Sequence, residues 1–213
     1  MGVEVTHIEF LVEEPSAEAV LRALVPAIVG QDVTFRVHPF QGKQDLLKRL
    51  PERLRGYRSW LPADWRLVVL IDADDEDCRQ LKARLELAAL HAGLATKSSS
   101  RAGSPFQVVN RLAVQELEAW FFGDVAALCA AYPRLSRYLA DTARYRDPDA
   151  IPGTWEALER ELQRAGYFSA GLEKLSAARA ISEKMTIAAN RSRSFQVFRS
   201  ALELLAGEAS MPS

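Results

Sequence analysis

Five apolar residues in a row, Leu67-Val68-Val69-Leu70-Ile71, stand between Arg66 and Asp72. A run this short, and this rich in branched side chains, reads as a strand covered on both faces. Such strands belong to parallel sheets with helices above and below. The rest of the first half fits that frame. Val5 to Val12 and Val33 to His38 carry the β-branched or alternating pattern of strands, and Phe106 to Leu112 supplies a fourth. Between them, Val20, Leu21, Leu24, Val25 and Ile28 recur at helical spacing over Ser16 to Val29. Leu46, Leu47, Leu50 and Leu54 mark a second helix. Leu81, Leu85, Ala88 and Ala89 mark a third, from about Asp77 to Ala92. A further helix is expected from Val114 to Tyr132.

Beyond Pro133 the strand signals stop, and Thr154 to Ala165, Gly171 to Met185 and Ser194 to Leu205 all read as helical. The expectation is therefore an α/β protein with a parallel sheet of about four strands flanked by helices. Residues 1–132 form the core, and residues 133–213 form a helical extension packed on it.

In open α/β sheets, ligands bind beyond the carboxyl ends of the strands, so the polar residues following each strand matter most. Glu13 and Glu14 follow the first. Asp72-Ala73-Asp74-Asp75-Glu76-Asp77 follows the third, and Glu116-Leu117-Glu118-Ala119-Trp120 comes after the fourth. With the first and third strands adjacent, Glu13, Asp72 and Asp74 would converge. Carboxylates crowded together resist joint ionisation unless a cation compensates, and Mg²⁺ (or Mn²⁺) suits such a set. Counted as an EF-hand from Asp72, the sixth and twelfth positions hold Asp77 and Ala83 rather than Gly and Glu, so that loop is excluded. Asp77 reads as the cap of the third helix. Asp72 ends an apolar strand where no cap is needed, which points to metal binding.

Other candidates each have two readings. Gly42-Lys43 has no upstream Gly and is followed by Gln44, so it is not a P-loop. Lys43 is either a phosphate contact or a solvated lysine. Asn190-Arg191-Ser192-Arg193-Ser194-Phe195 has the composition of a phosphate contact through Arg191 and Arg193, or of an ordinary helix start. Trp120, Phe121 and Phe122 read as core rather than as a stacking platform, and Thr154 as the N-cap of its helix.

Cys78 and Cys129, and the scattered His7, His38 and His91, have no zinc spacing. The net charge of −1 argues against nucleic-acid binding by bulk charge alone. No signal-peptide pattern and no membrane-spanning apolar stretch are seen, so a cytoplasmic protein is expected.

A strand ending Val12-Glu13, followed by Glu14-Pro15-Ser16-Ala17-Glu18, with a later strand ending Asp72-Ala73-Asp74, resembles the Toprim catalytic domain over about residues 5–125. Toprim domains occur in topoisomerases, primases and OLD-family nucleases. With Glu116 to Trp120 and Asn190 to Phe195 included, the whole chain resembles a family of small bacterial Toprim-like proteins, the domain of unknown function 4276 type. Some of these are encoded beside ATPases and suspected in phage defence.

The resemblance implies Glu13 as general acid/base or metal ligand, and Asp72 and Asp74 as holders of Mg²⁺. Glu118 would be a further ligand, with Glu116 its competitor. The implied activity is Mg²⁺-dependent phosphodiester chemistry on nucleic acid. The alternative is a non-catalytic interaction or regulatory subunit of an ATPase system. Glu14 stands where Toprim motifs have Gly, narrowing the backbone's approach to a phosphate and adding charge.

Overall fold

Side chains of a strand point alternately to its two faces, and the apolar run of the third strand uses both. Leu67, Val69 and Ile71 pack with one helical layer, Val68 and Leu70 with the other. The computed structural model describes residues 4–101, 104–168, 171 and 173–209. Within them, strands His7–Val12 (β1), Thr34–Pro39 (β2), Trp65–Asp72 (β3) and Val108–Ala113 (β4) form one sheet in the order β2-β1-β3-β4, all pairs parallel.

Helices Lys43–Trp60 (α2) and Cys78–His91 (α3) cover one face through Leu46, Leu50, Leu54, Leu81 and Leu85. Pro15–Val29 (α1) covers the other, in a core shared with Ala119–Gly123 (α4), Val125–Ala131 (α5), Thr154–Arg164 (α6), Lys174–Ser182 (α7) and Arg193–Ala209 (α8). Leu158, Ile181, Phe195 and Phe198 belong to the same buried cluster as Val12 and Val68, so residues after 132 complete this face of the sheet. The helix expected from Gly171 is described from Lys174; position 172 lies outside the described residues. No helix among the described residues is long and apolar enough to cross a membrane.

One expected helix is not there. In place of a single helix from Val114 to Tyr132, the chain runs as a loop to Glu118 and then makes two short helices, α4 and α5. The break falls at Gly123-Asp124. Asp124 caps α5, accepting from Ala127 N at 3.0 Å, and its other oxygen accepts from Thr186 N at 2.7 Å. Gly123 is where the chain around Asn190 presses in. A Cβ there would lie 2.1 Å from Asn190 Oδ1, and Arg191 N donates to Gly123 O at 2.9 Å. Trp120, Phe121 and Phe122 are buried in the core, as their composition suggests.

The strand order reverses between β1 and β3, since β1 leads to β2 on one side while β3 lies on the other. Such a switch point is where an open parallel sheet leaves a crevice at its carboxyl edge.

Candidate functional site

Glu13 leaves β1 at that crevice, and Asp72 ends β3 beside it. The parallel register pairs Val12 with Leu70, so the two residues come together at the sheet's edge. Glu13 Oε1 accepts from Asp72 N at 2.6 Å. The β2–α2 loop closes over the same edge, with Phe40 N donating to Val12 O at 2.9 Å and Gly42 N to Glu13 O at 2.8 Å. Asp74 is exposed and held by Lys43, whose Nζ lies 3.0 Å from Asp74 Oδ2, 2.9 Å from Glu76 Oε1 and 3.0 Å from Ala73 O. Burial would make Lys43 easier to deprotonate, but Glu76 and Asp74 outweigh it and raise its pKa.

The loops after β3 and β4 carry backbone strain at this point. Asp74 and Gln115 both have positive φ, 48° and 61°, and they are bridged by Asp74 N donating to Gln115 O at 2.6 Å. Each such residue costs roughly 1–3 kcal/mol, and strain of this kind gathers at ligand sites.

Glu118 comes from beyond β4 and is fully buried, at 0 % exposure. Neither of its carboxyl oxygens has a side-chain hydrogen-bond donor among the described residues. Lys174, from the first turn of α7, forms an ion pair with it at 3.5 Å. Lys174 Nζ also lies 2.5 Å from Glu14 Oε1 and 5.5 Å from the centre of the Trp155 ring. Glu14 is thus paired to the helical extension, and it also accepts from Ser16 Oγ at 2.7 Å.

Burial dominates the electrostatics. It pushes Glu13 up to about 7, against the Asp72 N–H bond and with Asp74 adding repulsion. It pushes Glu118 up to about 7 as well, although Lys174 works the other way. Asp72 is driven well above the ordinary aspartate range by burial and then by the Glu13 and Glu118 carboxylates. Lys174 is held protonated by Glu118 and Glu14, in spite of its burial. Glu13, Asp72 and Glu118 are therefore one interacting group of acids that ionise at a cost.

The other sequence candidates lie elsewhere. Glu116 Oε2 accepts from Thr154 Oγ1 and from Trp155 N, both at 2.8 Å, and so caps α6 from a distant part of the chain. Gly153 occupies the N-cap position that Thr154 was expected to fill, with Thr154 the first helical residue. Asp77 caps α3 as expected, accepting from Arg79 N and Gln80 N at 2.8 and 2.9 Å.

In the Asn190 to Phe195 segment the polar residues are structural. Asn190 Nδ2 donates to Trp120 O at 2.7 Å and Trp120 Nε1 to Ser194 Oγ at 2.9 Å; Ser192 and Ser194 bond Asp149. Arg191 is exposed and reaches Arg146 O, while Arg193 is exposed on the flank of β4 beside Arg79 and Arg111. Neither arginine pairs with the carboxylates. Among the described residues, no three His, Cys, Asp or Glu side chains are gathered closely enough to hold a metal ion as they stand. Lys174 and Asp149 were not legible in the sequence as partners, because nothing local to either residue marks it.

Fold and site together define a class: a doubly covered, four-stranded parallel α/β protein with buried acids at its switch point. Within that class the chain belongs to the family described as domain of unknown function DUF4276, whose model matches residues 12–203, from the last residue of β1 into α8. No curated protein and no solved structure matches the chain.

Proposed function

We propose that the carboxyl edge of this sheet is a Mg²⁺- or Mn²⁺-dependent site for phosphodiester chemistry on nucleic acid, of the Toprim type. The observation that carries the reading is Glu118, a buried carboxylate that has Lys174 at 3.5 Å but no side-chain hydrogen-bond donor among the described residues, electrostatically coupled to Asp72 and through it to Glu13. Lys174, shared with Glu14, offsets one charge of this group, and the remaining acids are held by protons or by a cation.

The donor set fits a hard cation, being oxygen throughout. It is not a closed cage, and Mg²⁺ needs none, since it keeps several waters and takes one or two protein carboxylates. Asp72 and Glu118 would hold the ion, with Asp74 at the rim. The ion would supply charge for a phosphate oxygen. Glu13, with a pKa of about 7, is suited to hold or release a proton near neutrality. Lys43 lies where it could exchange Asp74 for a phosphate, and Lys174 keeps Glu14 from repelling one.

A second reading is a non-catalytic interaction or regulatory subunit of an ATPase system. The Glu14–Lys174 pair favours it, because it fills the place where a glycine would let a phosphate approach.

Cation titrations and cleavage assays on single- and double-stranded DNA and RNA separate the two. The catalytic reading expects a Mg²⁺- or Mn²⁺-induced rise in melting temperature, with cleavage abolished by chelation and by Asp72→Asn. A cation response without cleavage selects the regulatory subunit. Indifference to both ions at millimolar concentration sinks the metal site itself.

A further inference from the structure

Glu9 lies in the middle of β1, on the face that α2 covers, one pleat before the core residue Leu11. It is only 5 % exposed. A charge there is expensive unless several donors satisfy it, and three do. Tyr57 Oη donates to Glu9 Oε2 at 2.8 Å, His38 Nε2 makes a short contact to the same oxygen, and His7 Nε2 lies 3.0 Å from Oε1. Burial alone would raise the pKa of Glu9, but these donors hold it below the usual carboxylate range, so it stays ionised and fixes His38. His38 Nδ1 has no hydrogen-bond partner among the described residues.

Glu9, His38 and Tyr57 of this network line a cleft of about 870 Å³ between β2 and α2. The cleft exists because β2 is an edge strand that α2 does not fully cover, and because Gly56, on the facing stripe of α2, brings no side chain. Arg36 from β2 and Arg53 from α2 line it, and both charges bear on the Tyr57 hydroxyl. Neither guanidinium has an ion-pair partner among the described residues. Asp45 on the same wall is paired with Arg49 at 2.8 Å, and Glu9 is saturated by its three donors. That leaves exposed Glu52 against two guanidiniums. Trp60 closes the far end. It is 54 % exposed, yet its ring is held against Tyr57 at 5.1 Å and edge-on to Trp65 at 5.9 Å.

Paired guanidiniums suit a phosphate, and a fixed, exposed indole suits a base. We infer that this cleft binds a nucleotide, with its phosphate on Arg36, Arg53 and His38 and its base on Trp60. The ligand is either a free mononucleotide or the terminal nucleotide of a strand. The site is separate from the carboxylate site, although the β2–α2 loop joins them: Gln41 lines the cleft, and two residues on, Lys43 holds Asp74.

Calorimetric titration of the full chain with deoxyadenosine monophosphate, and with a short oligothymidylate bearing a 5′-phosphate or a 5′-hydroxyl, tests this. Binding of the mononucleotide assigns a free nucleotide. Binding of the phosphorylated strand alone assigns a strand end. Either supports the site, provided that Arg36→Ala/Arg53→Ala weakens affinity by about tenfold or more and Trp60→Ala by several-fold. All three side chains are exposed, and melting curves of the variants confirm that each folds. Titrations run with a chelator, which keeps any divalent cation from the carboxylate site, should leave this binding intact, so a failure of the carboxylate reading does not touch it. No binding of any probe at millimolar concentration, or equal binding by the double arginine variant, overturns the inference.

Discussion

Burial raises the pKa of Glu13 in spite of the Asp72 N–H and that of Glu118 in spite of Lys174, and the pH dependence of stability should show both. Their folded pKa values are about 7, against 4.5 for the free side chain. Between those limits the folded state holds protons that the unfolded chain has released. Their contribution is therefore complete below about pH 4.5 and is lost as the pH rises through 7. In metal-free buffer the melting temperature should fall from pH 5.5 to pH 8, by on the order of 5 °C. Starting at pH 5.5 avoids Glu9 and Glu86, whose pKa values are lowered and whose stabilisation disappears only in more acid solution. A melting temperature that rises over this interval would mean that the two acids are not protonated in the fold.

Asp72→Asn tests the same repulsion. The Asp72 side chain accepts no hydrogen bond among the described residues, and its backbone N–H to Glu13 survives the substitution. The variant should melt at or above wild type without metal at pH 8, and should lose most of the Mg²⁺-induced rise. A lower metal-free melting point would make Asp72 a structural residue.

At the scale of elements, Glu116 and Glu118 stand two residues apart and do different things. Glu118 turns into the interior towards Asp72, and Glu116 turns out to cap α6. Glu116→Ala should cost about 1 kcal/mol, as the loss of an N-terminal cap does, and lower the melting temperature by roughly 3 °C. The Mg²⁺ response should be unchanged. A lost response would move Glu116 into the metal site. The break between α4 and α5 belongs to this scale as well. The apolar periodicity of 114–132 is compatible with one helix, and what divides it is the chain around Asn190 pressing on Gly123. No pattern within those nineteen or so residues contains that contact, whereas a local cap such as Asp77 is visible because acceptor and donors lie within three residues.

For the molecule as a whole, the helices after residue 132 are part of one core with the sheet. Phe195, Phe198 and Leu202 are buried in the same cluster as Val20 and Val68. Lys174, the cation beside Glu118, also comes from this region. A fragment ending at residue 132 would uncover β4 where α8 packs and the side of α1 that meets α7 and α8, and would leave Glu118 without its lysine. It should show no cooperative thermal transition by circular dichroism. A sharp transition in the fragment would make the extension an independent unit.

The sequence by itself determined the alternation of strands and helices, the parallel sheet, and the acids that stand at its carboxyl edge. Those features are written in periodicities of two and 3.6 and in residues that immediately follow a strand. Glu9, inside the strand-like run of the first strand, carries no local sign of its role. The tertiary structure alone decided that His7, His38 and Tyr57 surround it, that Glu116 caps a distant helix, and that Glu14 and Glu118 share Lys174. Each of these depends on side chains far apart in the chain meeting in a low-dielectric interior, where one partner reverses the cost of a charge. Local spacing carries no record of such meetings.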